Sequence, residues 1–257
     1  MSFGWIPVPI DWAPYGKAAA TGFDGADACF RHDGLIRRGC DQDGTNSCVL
    51  WGYSGGLWVL GGILGLPQKW ASVLGGYYST RMLDNGGKRD LLVDVGCNVT
   101  DAAWVQRRQG WIPDTAWPFD PRKVNAEPPL HAFLRCRERT WLRPRRIVAT
   151  GPQHAKIIRQ TLDAPGIKAR PILRATRVDQ AYLDWAPGFL PWRFQGPILG
   201  RHLELVVNYD RAGIHRVSSW GDAFDRVESW ESVGTDRQSE TWVLDVDVDA
   251  FREFCNA

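Results

Sequence analysis

The chain has 257 residues, 31 basic against 29 acidic side chains, a net charge of +2, and a hydrophobic content of 44%. That length suffices for one large domain, or two lobes sharing an interface, without disulfide or metal staples. The near-balanced charge argues against a nucleic-acid binder, and no low-complexity tract or repeat period marks a disordered or solenoid chain.

Residues 1–47 are rich in Gly, Pro and Asp and read as an extended, loop-rich lead-in. The opening MSFGWIPVPIDW lacks a basic region followed by an apolar run, so no secretory signal is expected and a cytoplasmic location is. The cysteines, Cys29, Cys40, Cys48, Cys97, Cys136 and Cys255, have no zinc-type spacing, and reduced thiols are expected, with no cofactor.

Cys48 to Leu66 is an uncharged apolar run of nearly membrane-spanning length, with small residues at Gly52/Gly56 and Gly61/Gly65. Its glycine density and the missing Lys/Arg asymmetry at its flanks favour a buried central helix over a membrane span. A second helix is expected over Lys69–Leu83, ended by the turn Asp84-Asn85-Gly86-Gly87. A third is expected over Val99–Gln109, with Thr100 as cap and Gly110 as stop.

Residues 112–130, with Pro118, Pro121, Pro128 and Pro129 beyond Pro113, read as a linker between lobes. The Arg cluster from Arg135 to Arg146 reads as a solvated surface, and Gln153–Leu162 as a surface helix. Strands are expected over Ala169–Ala175, His202–Tyr209, Gly213–Ser218 and Trp242–Val248. Asp245, Asp247 and Asp249 lack the Gly and Glu of a calcium loop and read as one solvated strand face. His32, His131, His154 and His215 have no partners at metal spacing. The 14 tryptophans pack in the core or line a cleft or partner surface. A helical first half and a β-rich second half give an α+β fold.

Cys48 opens the first helix directly after the turn-forming Asp43-Gly44-Thr45-Asn46-Ser47. A thiol at a helix N-terminus is favoured as thiolate, because the free N–H groups and the macrodipole stabilise negative charge. Gln42, six residues earlier, offers a side-chain amide to an oxyanion beside the Cys48 N–H. His202 opens a distant apolar strand ending in Tyr209, and Ser218-Ser219-Trp220-Gly221 follows a turn.

This order of glutamine, cysteine, histidine and Ser-Trp-Gly resembles the papain family of cysteine peptidases. Gln42 to Ser54 keeps the family's register around the nucleophile without a gap. Ile10-Asp11-Trp12, Tyr77-Tyr78-Ser79-Thr80-Arg81, Gly96-Cys97-Asn98 and Gly110 to Phe119 resemble further family segments, so the likeness runs from about residue 10 to the C-terminus. It implies a single domain over 1–257, with a helical lobe over roughly 10–120, a β-barrel-like lobe over 121–257, and an active cleft between them. It also implies that Cys48 and His202 form a thiolate–imidazolium pair that hydrolyses peptide bonds, that Gln42 lines an oxyanion hole, and that Trp220 shields the histidine. Asn98, Val99, Thr100, Trp220 and Glu204 are then expected at the substrate groove, and a peptide or protein is the expected substrate.

The chain departs from the family pattern at four places. Ser218 stands where Asn usually orients the imidazole. Val99 and Thr100 replace a pair of glycines. Thr45 replaces the usual disulfide partner of Cys97. With the family-like segments starting near residue 10, no inhibitory pro-segment of the usual kind is expected, and control is expected from low activity, restricted access or a partner. Glu204, two residues beyond His202 on one strand face, reads either as a partner of the imidazole or basic substrate, or as a rim carboxylate in a local salt bridge. Two functions follow: an active cysteine peptidase, or a papain-fold binding or structural protein with little turnover, for example a component of a virion-like assembly.

Overall fold

The computed structural model describes residues 40–136, 141–164, 170–184, 196–221, 226–235 and 239–256. Ile10-Asp11-Trp12, Cys29 and His32 lie outside the described residues, as do parts of the Arg135–Arg146 cluster and the N-terminal end of the strand expected from Ala169.

Three helices come first: α1 (Cys48–Ile63), α2 (Val73–Asp84) and α3 (Val99–Arg108). The short α4 (Leu130–Phe133) follows, then β1 (Arg145–Ile147), α5 (Gly151–Leu162), β2 (Ile172–Val178) and α6 (Gln180–Asp184). The chain continues through β3 (Gly200–Tyr209), β4 (Gly213–Val217), β5 (Arg226–Ser229), α7 (Trp230–Thr235), β6 (Glu240–Val243) and α8 (Val248–Asn256). The strands form one antiparallel sheet in the order β1-β6-β2-β3-β4-β5.

Capping explains where the expected boundaries shift. The second helix starts at Val73, because the Ser72 side chain accepts from Gly75 N and Ala71 pairs with Pro113 as a bridge. It ends as expected, with Asn85 as cap and Gly86 and Gly87 at φ of 61° and 83°. Asn98, not Thr100, caps α3 by accepting from Asp101 N at 2.7 Å. The last strand stops at Val243. Asp247 then opens α8, its carboxylate accepting from Ala250 N at 3.3 Å and its carbonyl from Phe251 N at 2.9 Å. The three aspartates therefore share no strand face. Asp245 instead meets Arg145 at 3.0 Å and Arg170 at 2.8 Å.

The central helix α1 rests on the sheet through its glycines. A Cβ at Gly52 would lie 2.1 Å from Leu203 Cδ2, and one at Gly56 would lie 2.6 Å from Leu244 Cδ2. The small-residue spacing thus serves a helix-on-sheet contact. Among the described residues no helix is long and apolar enough to cross a membrane. Leu173, Leu203, Leu205, Val207 and Trp242 share one core cluster with α1 on one sheet face, and Ile172, Val206 and Val243 share a second with α5 and α7 on the other. A register shift between Val206 and Asn208 turns Tyr209 into this second cluster.

Candidate active site

Cys48 is the first residue of α1 and is fully buried. No side chain caps that helix. The hydroxyl of Ser47 is instead engaged by Thr45 Oγ1 at 2.7 Å. The turn before Cys48 is closed by Thr45 N and Thr45 Oγ1, which both donate to Gln42 O, at 2.9 and 2.7 Å. Its positive-φ residues are Asp43 and Gly44. Thr45 therefore stabilises this loop with hydrogen bonds where the family resemblance expects a disulfide.

A second anchor escaped the sequence reading. Asp94 accepts from Asn46 N at 2.9 Å and from Tyr77 Oη at 2.7 Å, while Asn46 Nδ2 donates to Asp94 O at 2.6 Å. Tyr77 Oη in turn accepts from Gly96 N at 2.7 Å. Arg81 stacks on the Tyr77 ring at 4.0 Å and donates to Val93 O at 2.8 Å. The Tyr77 to Arg81 segment thus fixes both the loop before Cys48 and the one before Cys97. Local sequence carries no sign of Asp94, because its partners lie 48 and 17 residues away.

Gln42 is fully buried, and each end of its amide is placed. Its Oε1 accepts from Ser219 Oγ at 2.7 Å, and its Nε2 donates to Thr45 O. Its backbone N–H donates to Ser219 O at 2.6 Å, and Asp41 bridges Trp220. The segment before Cys48 is therefore joined to the segment after β4. Ser219, which links them, was not singled out from sequence because its role depends on this pairing.

His202 lies in β3 opposite Thr176 and is fully buried. Nε2 is 3.1 Å from Ser218 Oγ, which also accepts from Trp220 N at 3.2 Å. The imidazole stacks on Trp220 at 4.0 Å with 23° between the planes. Nδ1 is buried and has no hydrogen-bond partner among the described residues. Burial, reinforced by the charges of Arg216 and Arg226, holds the imidazole pKa well below the usual histidine value, so the ring is neutral at pH 7.

Other expected groove residues have local duties. Val99 is fully buried, and its carbonyl accepts from Tyr53 Oη at 3.1 Å. Asn98 caps α3, and Thr100 Oγ1 donates to Asn98 Oδ1 at 2.9 Å. Glu204 is not a rim carboxylate: it is buried, accepts from Tyr182 Oη at 2.6 Å and pairs with Arg216 Nη1 at 2.9 Å. Cys97 is a free thiol whose pKa burial pushes well up, with the neighbouring Cys48 adding to the rise. A small cavity of about 40 Å³ adjoins Ser218, Ser219 and Glu204. A groove of about 950 Å³ lies elsewhere, between Trp58, Trp70, Trp111 and Phe254, with none of the expected site residues in its wall.

No protein-family model matches the chain, and no curated protein does. Solved structures do resemble it. Xylellain, a cysteine protease from Xylella fastidiosa, superposes with a TM-score of 0.75 at 18% identity, covering 96% of each chain. Procathepsin B S9 from Trypanosoma congolense gives 0.62 at 12% identity, over 96% of this chain and 87% of that one. The Carica candamarcensis cysteine protease CMS1MS2, solved with E-64, gives 0.61 at 11% identity, over 85% of this chain and 99% of that one.

Proposed function

We propose that this chain, whose fold is that of the papain-like cysteine proteases, is a cysteine peptidase with Cys48 as nucleophile and His202 as base. The observation that carries the reading is the imidazole itself. A buried ring nitrogen without a partner costs stability. Nδ1 of His202 is such an atom, while Nε2 is occupied by Ser218. A ring held this way offers Nδ1 to accept a proton.

Cys48 Sγ would attack the peptide carbonyl as its proton passes to Nδ1. Because the surroundings disfavour the imidazolium, the thiolate–imidazolium pair forms during attack rather than at rest. The carbonyl oxygen would become an oxyanion facing the Cys48 N–H and the second N–H of Gln42 Nε2, whose amide is oriented by Ser219 and Thr45. Nδ1–H would then protonate the departing amine, leaving a thioester that water hydrolyses. The substrate is a peptide or protein.

A second reading, a papain-fold binding or structural protein with little turnover, is favoured by two observations. Cys48 and His202 are both fully buried, and Ser218 provides the imidazole with a shorter side chain than Asn. The two readings are separated by incubating wild type and Cys48→Ala with a denatured protein substrate and mapping new termini by mass spectrometry. Cleavage by wild type alone supports the peptidase. Equal, absent cleavage by both supports the binding protein.

A further inference from the structure

We propose that Glu204 is a positioning residue for His202, acting through Tyr182 and Trp220. This rests on the reading of His202 as the base. Glu204 follows His202 by two residues on β3, so both side chains leave the same sheet face. Its Oε1 accepts from Tyr182 Oη at 2.6 Å, and its Oε2 lies 2.9 Å from Arg216 Nη1. The Tyr182 ring meets Trp220 edge-on, with centroids 5.8 Å apart and planes at 87°. Trp220 then stacks on His202 at 4.0 Å. Glu204 therefore connects the strand that carries the imidazole to the aromatic wall that fixes its plane.

The rest of the sheet face shows that this layer needs no charge for packing. Nearby, Ile172, Val206, Ile214 and Val243 fill it with aliphatic side chains. Around His202 it instead carries Arg174 from β2, Glu204 from β3, Arg216 from β4, and Arg226 and Glu228 from β5, all buried. Arg174 pairs with Glu228 at 2.6 Å, and Arg226 lies over the Tyr182 ring at 4.2 Å. Burying such a cluster is expensive compared with apolar side chains, so it is weak evidence for stability and better evidence for a specific task. Tyr182 is itself held in place, with its N–H donating to Asp179 Oδ1 at 2.8 Å and Asp179 Oδ2 accepting from Gly196 N at 3.0 Å. Ser218 supplies one hydrogen bond to the ring, and the wall supplies the remaining constraint.

Two roles for Glu204 give different signatures. Tyr182→Phe keeps the ring and every charge, and removes the hydroxyl that ties the wall to Glu204 and also bonds Arg226. Glu204→Gln also removes a counter-charge to Arg216 and Arg226, which pushes the imidazole further toward its neutral form. The experiment labels the histidines with ¹⁵N and follows the His202 ring nitrogens across pH, assigned with His202→Asn. In parallel it measures the iodoacetamide rate at Cys48. For Tyr182→Phe we expect the two ring-nitrogen shifts to move toward each other, as tautomers or orientations mix, and the Cys48 rate to fall about threefold to tenfold. Glu204→Gln should do the same and also move the His202 titration to lower pH. Unchanged ring shifts in Tyr182→Phe overturn the proposal, even if the variant is less stable, because a purely structural tyrosine lowers stability alone. If Glu204→Gln fails to fold, Tyr182→Phe decides. An inert Cys48 in wild type refutes the peptidase reading, and the ring shifts still decide the role of Glu204.

Discussion

His202 and Ser218 are joined by one hydrogen bond, Nε2 to Oγ at 3.1 Å, in a site where Trp220 covers the imidazole face. The hydroxyl also accepts from Trp220 N, so a single atom serves both the ring and the backbone beside it. Replacing it tests how much of the orientation it supplies. Ser218→Ala should slow alkylation of Cys48 by about fivefold, the scale of one hydrogen bond worth ~1 kcal/mol. Ser218→Asn, with a longer planar amide, should raise turnover of a short peptide amide by about tenfold. A lower rate in Ser218→Asn would show that Ser218 is not acting as a weaker Asn.

The pH dependence of reaction follows from the same imidazole. As the proposed base, His202 would have to be neutral to take the Cys48 proton. Burial first, then Arg216 and Arg226, holds its pKa well below 6.5. The rate of Cys48 alkylation should therefore show no acid limb between pH 6 and 7, because the ring stays neutral there. A limb centred at or above pH 6.5 in the measured profile would mean that His202 titrates as an ordinary exposed histidine.

His154 and Glu228 each contribute stability that acid removes. Burial, with Arg174 adding to it, lowers His154 to about 4, from 6.5 unfolded. The unfolded chain binds the extra proton between these values, so stability is full above pH 6.5 and declines toward pH 4, by about 3 kcal/mol. Burial alone would raise Glu228, but Arg174 and Arg216 bring it down to about 2, from 4.5. Its contribution is present above pH 4.5 and is lost as pH falls through about 2. Between pH 6.5 and 4 the buried neutral His202 adds to the His154 loss, while Asp84, raised to about 7 by burial, opposes it. The difference between wild-type and His154→Gln urea midpoints should therefore fall as pH drops from 6.5 to 4. An unchanged slope in that variant would assign the loss elsewhere.

Gly213 is where the sheet tolerates no side chain. A Cβ there would lie 1.8 Å from Glu228 O and 2.6 Å from Glu228 C, both backbone atoms of the paired β5. Gly213→Ala must part β4 from β5, beside the Arg216–Glu228 contact of 3.4 Å. A loss of about 3 kcal/mol or more in urea unfolding is expected, among the largest effects of a single methyl. Wild-type stability in Gly213→Ala would contradict the β4–β5 register.

Much of the fold was legible because its signals are local. The uncharged glycine-rich run from Cys48 announced α1, and Gly86 and Gly87 announced the end of α2. The β3 strand was visible from its apolar and β-branched run. Residues whose role depends on distant partners were not visible. Arg145–Ile147 pairs with β6, nearly 100 residues later, and Arg226–Ser229 carries two charged side chains that only the sheet interior explains. At the candidate site, Gln42, Ser218 and Trp220 were expected from the resemblance to the papain family, whose motifs are local. Asp94 and Tyr182 were not, and the contacts of Ser219 and Tyr77 were not, since each acts through a side chain far away in sequence. Glu204 was singled out, but its burial with Arg216 and Tyr182 required the neighbouring strand and α6.

The most direct test of the account is the site of covalent capture by a peptidyl epoxide. Folded protein is treated at pH 7, digested, and the adduct located by mass spectrometry, with urea-unfolded protein as the control for reagent competence. One adduct is expected, on Cys48, which opens α1 and has His202 as its proposed base, with Cys97, equally buried but outside any helix, unmodified, and a much slower reaction in His202→Ala. Modification of Cys48 only after unfolding, or equal modification of every thiol in the folded protein, would contradict it.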